Sequence, residues 1–363
     1  MQDSAHILQE QVRQAATEQT PLSICGGRSK KFYGRPVDHE RLQTSAHTGI
    51  TEYSPTELVI TARAGTPLRD IESTLANNGQ MLACEPPDFD GKSTFGGMLA
   101  AGLSGPSRPF RAAVQDTVLG CTILNGKGEI LRFGGKVMKN VAGYDVSRLM
   151  VGALGCLGVI LEATVKVIPV PAAEMTVAFA ISRSKSVALV NNLRSQGMPV
   201  TASVHDGQTL RVRFSAGRRE IDSMEDQLEK HYSFVEWQRQ DDNSYWPPLR
   251  HHELKGFDAE KDTWRLSTAP TADVSELATP DQPWITEWGG ALHWLQTNAT
   301  LEQVFDCLAS QGGHATRFRR PDSQAQESIF QPLSPLHMTW HKQLKQAFDP
   351  ENILNPGRMY AEF

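Results

Sequence analysis

Between Glu174 and Trp237 the chain reads as strand, helix, strand, turn, strand, helix, strand, and from Trp264 the same order begins again. EMTVAFAI, PVTASV, TLRVRFSA and SFVEW are rich in β-formers, and Asp206-Gly207 supplies the turn. SKSVALVNNLRSQG and REIDSMEDQLEKH instead repeat their apolar residues at helical spacing. The second round runs TWRLS, TADVSELA, WITEW, ALHWLQ, TLEQVFDCLASQG and HATRF, with Gly289-Gly290 at its turn and Thr300 and Gln303 in capping-box spacing. A βαββαβ unit must bury one sheet face under its two helices, so two in succession predict an α+β domain with helices on one side of a sheet. Pro169 and Pro171 mark where that domain starts.

Ahead of those prolines the texture is different. Ile7, Leu8, Val12, Ala15 and Ala16 make one helical stripe, LSIC is a strand, and ELVITARAG is a second strand. Thr66 and Pro67 suit the N-cap and first position of a helix that turns Leu68, Ile71 and Leu75 inward and stops at Gly79, before the strand MLAC. This order predicts a small, partly parallel sheet. DFDGKSTFGGMLAAGLSGPSRP shows neither helical nor strand period and allows close backbone approach. TVLGCTILNGKGEILRF is a hairpin turning at Asn125-Gly126-Lys127-Gly128. Asp145 caps a short helix through Met150, GALGCLG is a further glycine turn, and VILEATVKVI is a strand. At the far end, Ser334-Pro335 opens a helix whose Leu336, Trp340, Leu344 and Phe348 share a face. The tail behind it, ENILNPGRMYAEF, is too short for a domain and must pack on something built earlier.

A length of 363 residues points to two or three domains, and a net charge of -5 gives no field that would hold nucleic acid. No cationic leader and no run of eighteen apolar residues is present, so the expectation is a cytoplasmic chain that does not span a membrane. Cys25, Cys84, Cys121, Cys156 and Cys307 never form C-x-x-C pairs and read as small buried thiols. His251-His252-Glu253 reads as a solvated patch. His337 and His341 share a helical face without a third ligand, so no metal is expected.

Three glycine turns remain to be explained. The first, Cys25-Gly26-Gly27-Arg28-Ser29-Lys30, follows a strand directly and offers consecutive N–H groups, a hydroxyl and cations, which suits a diphosphate. It is neither a nucleoside triphosphatase loop nor a Rossmann turn. Ser93-Thr94-Phe95-Gly96-Gly97 and the turn from Gly152 to Gly158 add hydroxyls and bare backbone, so together the three favour an extended nucleotide ligand.

The order CGGRSK, EPP, STFGGMLAAGLSG, NVAGYDVSRLMVGALGCLGVI and DPENILNPGR resembles the FAD-binding fold of vanillyl-alcohol oxidase and the D-2-hydroxyacid dehydrogenases. Within it, PTELVITARAGTPL, GQMLACEPP, LRFGGKVMKNVAGYD, WGGALHWL, GGHATRF and NPGRMYAE are similar to the smaller FAD-binding subunits, the E subunits, of bacterial glycolate oxidases. The resemblance implies an FAD-binding PCMH-type domain of two subdomains over 1–170, an α+β cap over 171–330, and a helix and tail over 331–363 that return to the first domain. It places the FAD diphosphate on Gly26, Gly27, Arg28, Ser29 and Lys30. Pro87, Ser93, Thr94, Gly96 and Gly97 would line a second flavin segment, Gly155, Gly158 and Val159 the adenine-ribose side, and Asn355 the neighbourhood of the isoalloxazine. Relatives commonly read G-S-E-G-T-L-G where this chain has Gly152-Ala153-Leu154-Gly155-Cys156-Leu157-Gly158, and N-A-G-G where it has Gly102-Leu103-Ser104-Gly105. Covalent members often carry histidine in the first turn; here Arg28, Ser29 and Lys30 stand there, so FAD is expected to be non-covalent.

The implied activity is oxidation of glycolate to glyoxylate within a complex. A larger FAD-linked subunit and an iron-sulfur subunit would pass electrons toward quinone, with the chain peripheral to the inner membrane through that complex. Alternatives are a stand-alone FAD-dependent 2-hydroxyacid dehydrogenase and a non-catalytic assembly subunit. Oxidising a 2-hydroxy acid needs a cation for the carboxylate, a base for the hydroxyl proton and the flavin as hydride acceptor. His314 and Arg317 in GGHATR are the candidates for base and cation, in a cap that would cover the flavin. Trp288, His293 and Trp294 read either as flavin wall or as core.

Overall fold

The computed structural model describes residues 3–135, 145–240, 242–253, 255–321 and 328–363. Residues 136–144, within the LRFGGKVMKNVAGYD likeness, lie outside the described residues. The chain divides into two compact units, one of Met1–Ser104, Ala112–Pro169 and Ala325–Phe363, the other of Gly105–Arg111 and Val170–Gln324. The second unit therefore takes in Gly105–Arg111, a segment that reads by sequence as part of the first.

In the first unit, the strands β1 (Leu22–Cys25) and β2 (Glu40–Gln43) pair in parallel, Leu22 opposite Glu40 and Cys25 opposite Gln43. Then come β3 (Ile50–Ser54), β4 (Val59–Arg63), β5 (Gln80–Met81), β6 (Val118–Leu124), β7 (Ile130–Gly134), β8 (Val159–Lys166) and β9 (Ile168–Pro169). A five-stranded antiparallel sheet runs β3-β4-β8-β6-β7, and β5 pairs with β9. The expected single sheet is thus divided. β2 escapes pattern reading because only Leu42 of its four residues is buried. The helix Leu68–Ala76 begins one residue later than its signals suggest, because the Thr66 hydroxyl accepts a hydrogen bond from the Gly49 N–H at 2.9 Å instead of capping. Residues 88–109, which show no period, nonetheless hold a helix, Phe95–Ala101, capped by Thr94 accepting from the Gly97 N–H. Its glycines conceal it, yet Phe95, Met98 and Leu99 are buried in the same core as Ile60, Leu68, Ile71, Leu75 and Val165.

The second unit contributes β10 (Ala173–Phe179), β11 (Val200–His205), β12 (Leu210–Ala216), β13 (Trp237–Gln240), β14 (Thr263–Ser267), β15 (Trp284–Glu287), β16 (Leu292–Leu295) and β17 (His314–Arg319). They form one sheet in the order β13-β10-β12-β11-β15-β16-β14-β17. In each half the fourth strand lies beside the first, the first beside the third and the third beside the second. The repeat read from the sequence is therefore a repeat in space, its halves joined edge to edge where Val204 and His205 meet Glu287 and Thr286. The halves differ in one respect: TADVSELA yields only a 3-10 turn, Ser275–Leu277, in place of a full helix. Helix Leu301–Ser310 carries the expected capping box, Thr300 accepting from the Gln303 N–H while the Gln303 side chain accepts from the Thr300 N–H. Trp288, His293 and Trp294 are buried, as core residues would be. His252 corrects the solvated-patch reading, since it is buried with its ring 4.8 Å from Trp294 and 5.0 Å from Phe318.

Candidate functional site

The chain leaves β1 at Cys25 and turns through Gly26 to Lys30, with Arg28 in the left-handed region at φ 59°. Among the described residues, the N–H groups of Gly26, Gly27, Arg28, Ser29 and Lys30 donate no hydrogen bond. Five successive unpaired donors in one turn form a nest for an anion. The glycines are dictated by the neighbouring segment: a Cβ on Gly27 would lie 1.7 Å from the Lys92 carbonyl oxygen, and one on Gly26 2.6 Å from the Thr94 hydroxyl.

Lys30 donates to the Ser93 hydroxyl at 2.6 Å and to Ser29 at 3.3 Å, and its ammonium lies 5.3 Å from the Phe89 ring centroid. Desolvation pushes its pKa down to about 8, against the opposing pull of Asp88. A cation so placed gains from a nearby anion more than a solvated one would. Ser93 is itself buried, its hydroxyl donating to the Asp88 carbonyl at 2.7 Å.

A cleft of about 170 Å³ is lined by this turn, by Thr94, Gly97 and Ala100, and by Leu154, Asn355 and Arg358. A second hollow of about 90 Å³ shares Ile24, Gly26, Gly97, Ala100, Leu154 and Asn355 with it and extends to Gly96, Gly155, Gly158, Val159 and Ile160. Twelve of the fourteen residues expected to hold the cofactor thus line two adjoining hollows. Ser93 stands behind the lining as the acceptor for Lys30, and Pro87 one step further, its carbonyl accepting from Ser93 at 3.3 Å. Sequence reading did not single out Ile24, Cys25, Lys31, Arg41 and Arg358, which also line the cleft. The first three flank or sit inside the quoted turn, so its neighbours were the available signal. Of the five cysteines only Cys25 is not buried.

Asn355 acts as a clamp. Its side-chain oxygen accepts from the Ile24 N–H at 2.8 Å and its amide nitrogen donates to the Leu154 carbonyl at 2.7 Å, tying β1 to the third glycine turn. Gly155 must be glycine there, because it holds φ 78° and a Cβ would come within 2.7 Å of the Asn355 amide nitrogen. Arg358 donates to the carbonyls of Arg35 at 2.6 Å and Tyr33 at 2.7 Å, which fixes the loop behind the nest. Behind both, buried Lys345 donates to the Cys156 carbonyl at 2.8 Å, the Leu354 carbonyl at 2.6 Å and the Asp349 carboxylate at 2.7 Å. The tail therefore returns to the first unit through specific partners.

In the second unit, the structure does not bring His314 and Arg317 together. They are three residues apart on β17, and alternate residues face opposite sides of a sheet. Arg317 is buried and ion-paired with Asp262 at 2.5 Å, so it is committed to the fold, whereas His314 is exposed.

An anion nest, a desolvated lysine and an apolar floor of Ile24, Ala100, Leu154, Val159 and Ile160 fit a dinucleotide with a charged middle and a flat ring system. Residues 3–134 match the family model described as FAD binding domain, and residues 327–359 match the one described as FAD linked oxidases, C-terminal domain. Fold and cleft together define an FAD-linked oxidoreductase. The chain is 43% identical over 360 residues to the Escherichia coli glycolate oxidase subunit GlcE, covering 99% of this chain and 98% of that protein. It belongs to the glycolate oxidase E-subunit family. It is also 25% identical to the Bacillus subtilis glycolate oxidase subunit GlcD, over 86% of this chain and 77% of that one. The fold is shared with p-cresol methylhydroxylase at TM-score 0.70 and 13% identity, covering 99% of this chain and 88% of that one.

Proposed function

We propose that the protein is the FAD-binding subunit of a complex that oxidises glycolate to glyoxylate, holding FAD non-covalently in the cleft of its first unit. The observation that carries the reading is the run of five unpaired N–H groups from Gly26 to Lys30 beside a desolvated lysine. Bound FAD supplies the two-electron acceptor. The chain's own residues bind and orient it: the nest and Lys30 take the diphosphate, Asn355 fixes β1 against the third glycine turn, and Leu154 and Ala100 exclude water from the ring system.

Electrons leaving this subunit would pass to a larger FAD-linked subunit and an iron-sulfur subunit, and from there toward quinone, with those partners making the membrane contact. No helix among the described residues is long and apolar enough to cross a membrane. His314 remains the candidate base, and its cationic partner is sought elsewhere than at Arg317.

The test is the visible spectrum of the purified chain before and after glycolate. A yellow protein that bleaches supports catalysis on this flavin; one that stays yellow marks a relay that needs its partners. A colourless protein whose melting temperature is unmoved by added FAD overturns the reading.

A further inference from the structure

We propose that Lys30 is a modification site: before FAD is loaded, its amine condenses reversibly with a small aldehydic oxo acid, glyoxylate being the simplest, and the adduct occupies the diphosphate nest. Glyoxylate as the physiological reagent rests on the reading of the protein as an oxidiser of glycolate. The chemistry of the lysine itself does not depend on that reading.

A lysine ammonium has three N–H groups. Those of Lys30 find two acceptors, the Ser93 hydroxyl at 2.6 Å and the Ser29 hydroxyl at 3.3 Å, and no third among the described residues. Ser93 is committed to accepting, because its own proton goes to the Asp88 carbonyl at 2.7 Å. A neutral amine therefore keeps both contacts with its two N–H groups and leaves its lone pair at the third corner, where it can attack a carbonyl carbon. Lys30 lines the cleft and is only half-buried, so a small molecule can reach it. Among the described residues it makes no salt bridge, and the Asp88 carboxylate acts on it only from longer range. Burial holds its pKa at about 8, so near that pH about half of it is free amine, roughly a hundredfold more than of a solvated lysine.

The nest selects which carbonyl compound is held. The five unpaired N–H groups from Gly26 to Lys30 belong to the same turn as the amine, and Arg28, Lys31 and Arg41 add positive charge to the cleft wall. Such a turn calls for an anion. In glyoxylate the carboxylate is bonded directly to the aldehyde carbon, so a carbon joined to Nζ brings its carboxylate beside these amides. The step balances without oxidant or reductant: the Nζ lone pair forms the N–C bond, the carbonyl oxygen leaves as water with the two amine protons, and an imine remains. Its negative charge then sits where a phosphate of FAD would sit, so adduct and cofactor exclude each other. Loading of FAD would be held back while the oxo acid is abundant and restored as it falls, because water hydrolyses the imine.

The test treats the FAD-stripped full chain with glyoxylate at about pH 8 in the presence of cyanoborohydride, which delivers hydride to imines, and maps the resulting carboxymethyl-lysines by peptide mass spectrometry. Lys30 should be labelled about tenfold or more faster than Lys342, an exposed lysine on the helix Pro335–Phe348, and saturating FAD should suppress the label at Lys30 while leaving that at Lys342. Acetaldehyde, which lacks the carboxylate, should show a preference for Lys30 several-fold smaller. Without the reductant, glyoxylate should slow FAD uptake reversibly, and it should not do so in Lys30→Arg, which keeps the charge but forms no imine. Labelling of Lys30 no faster than of Lys342, or an equal preference with acetaldehyde, overturns the proposal; both are read on the unaltered chain, so a poorly folded variant does not blunt the test. The two readings fail separately. Glyoxylate-selective labelling of Lys30 with no bleaching of the flavin by glycolate keeps the modification site and sinks glycolate oxidation by this chain, and bleaching with no preference for Lys30 does the reverse.

Discussion

Lys345 offers the sharpest test of how the tail shapes the cleft. Lys345→Met keeps the length of the side chain but removes all three donors, to Cys156, Leu354 and Asp349. Removing one partner of a buried ion pair typically costs about 3–5 kcal/mol, because the other charge stays buried. Asp349 retains the N–H groups of Ile353 at 3.1 Å and Leu354 at 2.8 Å, which places the expected cost at the lower end, about 3 kcal/mol. For a unit of this size that is a fall of roughly 6–12 °C in melting temperature. The assay follows release of FAD fluorescence on heating, which reports on the unit that carries the cleft. Affinity for FAD should fall as well, because Leu354 precedes the Asn355 clamp. The double variant Lys345→Met/Asp349→Asn should recover part of the loss, since no charge is then left buried and the Asn side-chain oxygen can still accept from the backbone N–H groups. A release temperature within about 2 °C of the parent, the smallest shift expected for a single kcal/mol, together with unchanged FAD affinity, would refute the argument.

Gly27→Ala would force a Cβ to within 1.7 Å of the Lys92 carbonyl, so FAD binding should be lost while tryptophan fluorescence of the second unit still reports a folded domain. Burial holds the Lys30 pKa down at about 8, and a bound diphosphate would raise it. FAD affinity should therefore be complete below about pH 8 and decline as pH rises beyond it, a dependence that equilibrium titration would find missing in Lys30→Met. Thr300→Ala removes one half of a capping box and should destabilise the second unit by about 1 kcal/mol in chemical unfolding, with FAD binding unchanged.

What could be read from the sequence was whatever its own neighbours determine. The repeat in the second unit is legible because alternation and helical period are local, and its sheet order follows from applying one packing solution twice. The first glycine turn is legible for the same reason, as a strand, two glycines and three polar side chains within a few residues. Helix Phe95–Ala101 hides because its glycines are there for close packing: a Cβ on Gly96 would sit 2.5 Å from that of Ala64, a residue distant in the chain. Lys345 lies outside the apolar stripe of its helix, and it becomes the hub of three hydrogen bonds only because Cys156 of the third glycine turn, Asp349 at the helix end and Leu354 of the tail meet around it. The same helix shows the converse, since Leu336 and Trp340 belong to its apolar stripe yet stand 58% and 50% exposed. His314 and Arg317 look like partners because they are close in sequence, but an odd spacing on a strand sends them to opposite faces. Arg265, far from His314 along the chain, shares its face through strand pairing. Side chains that share a sheet face are therefore found across neighbouring strands, through their register, before they are found along one.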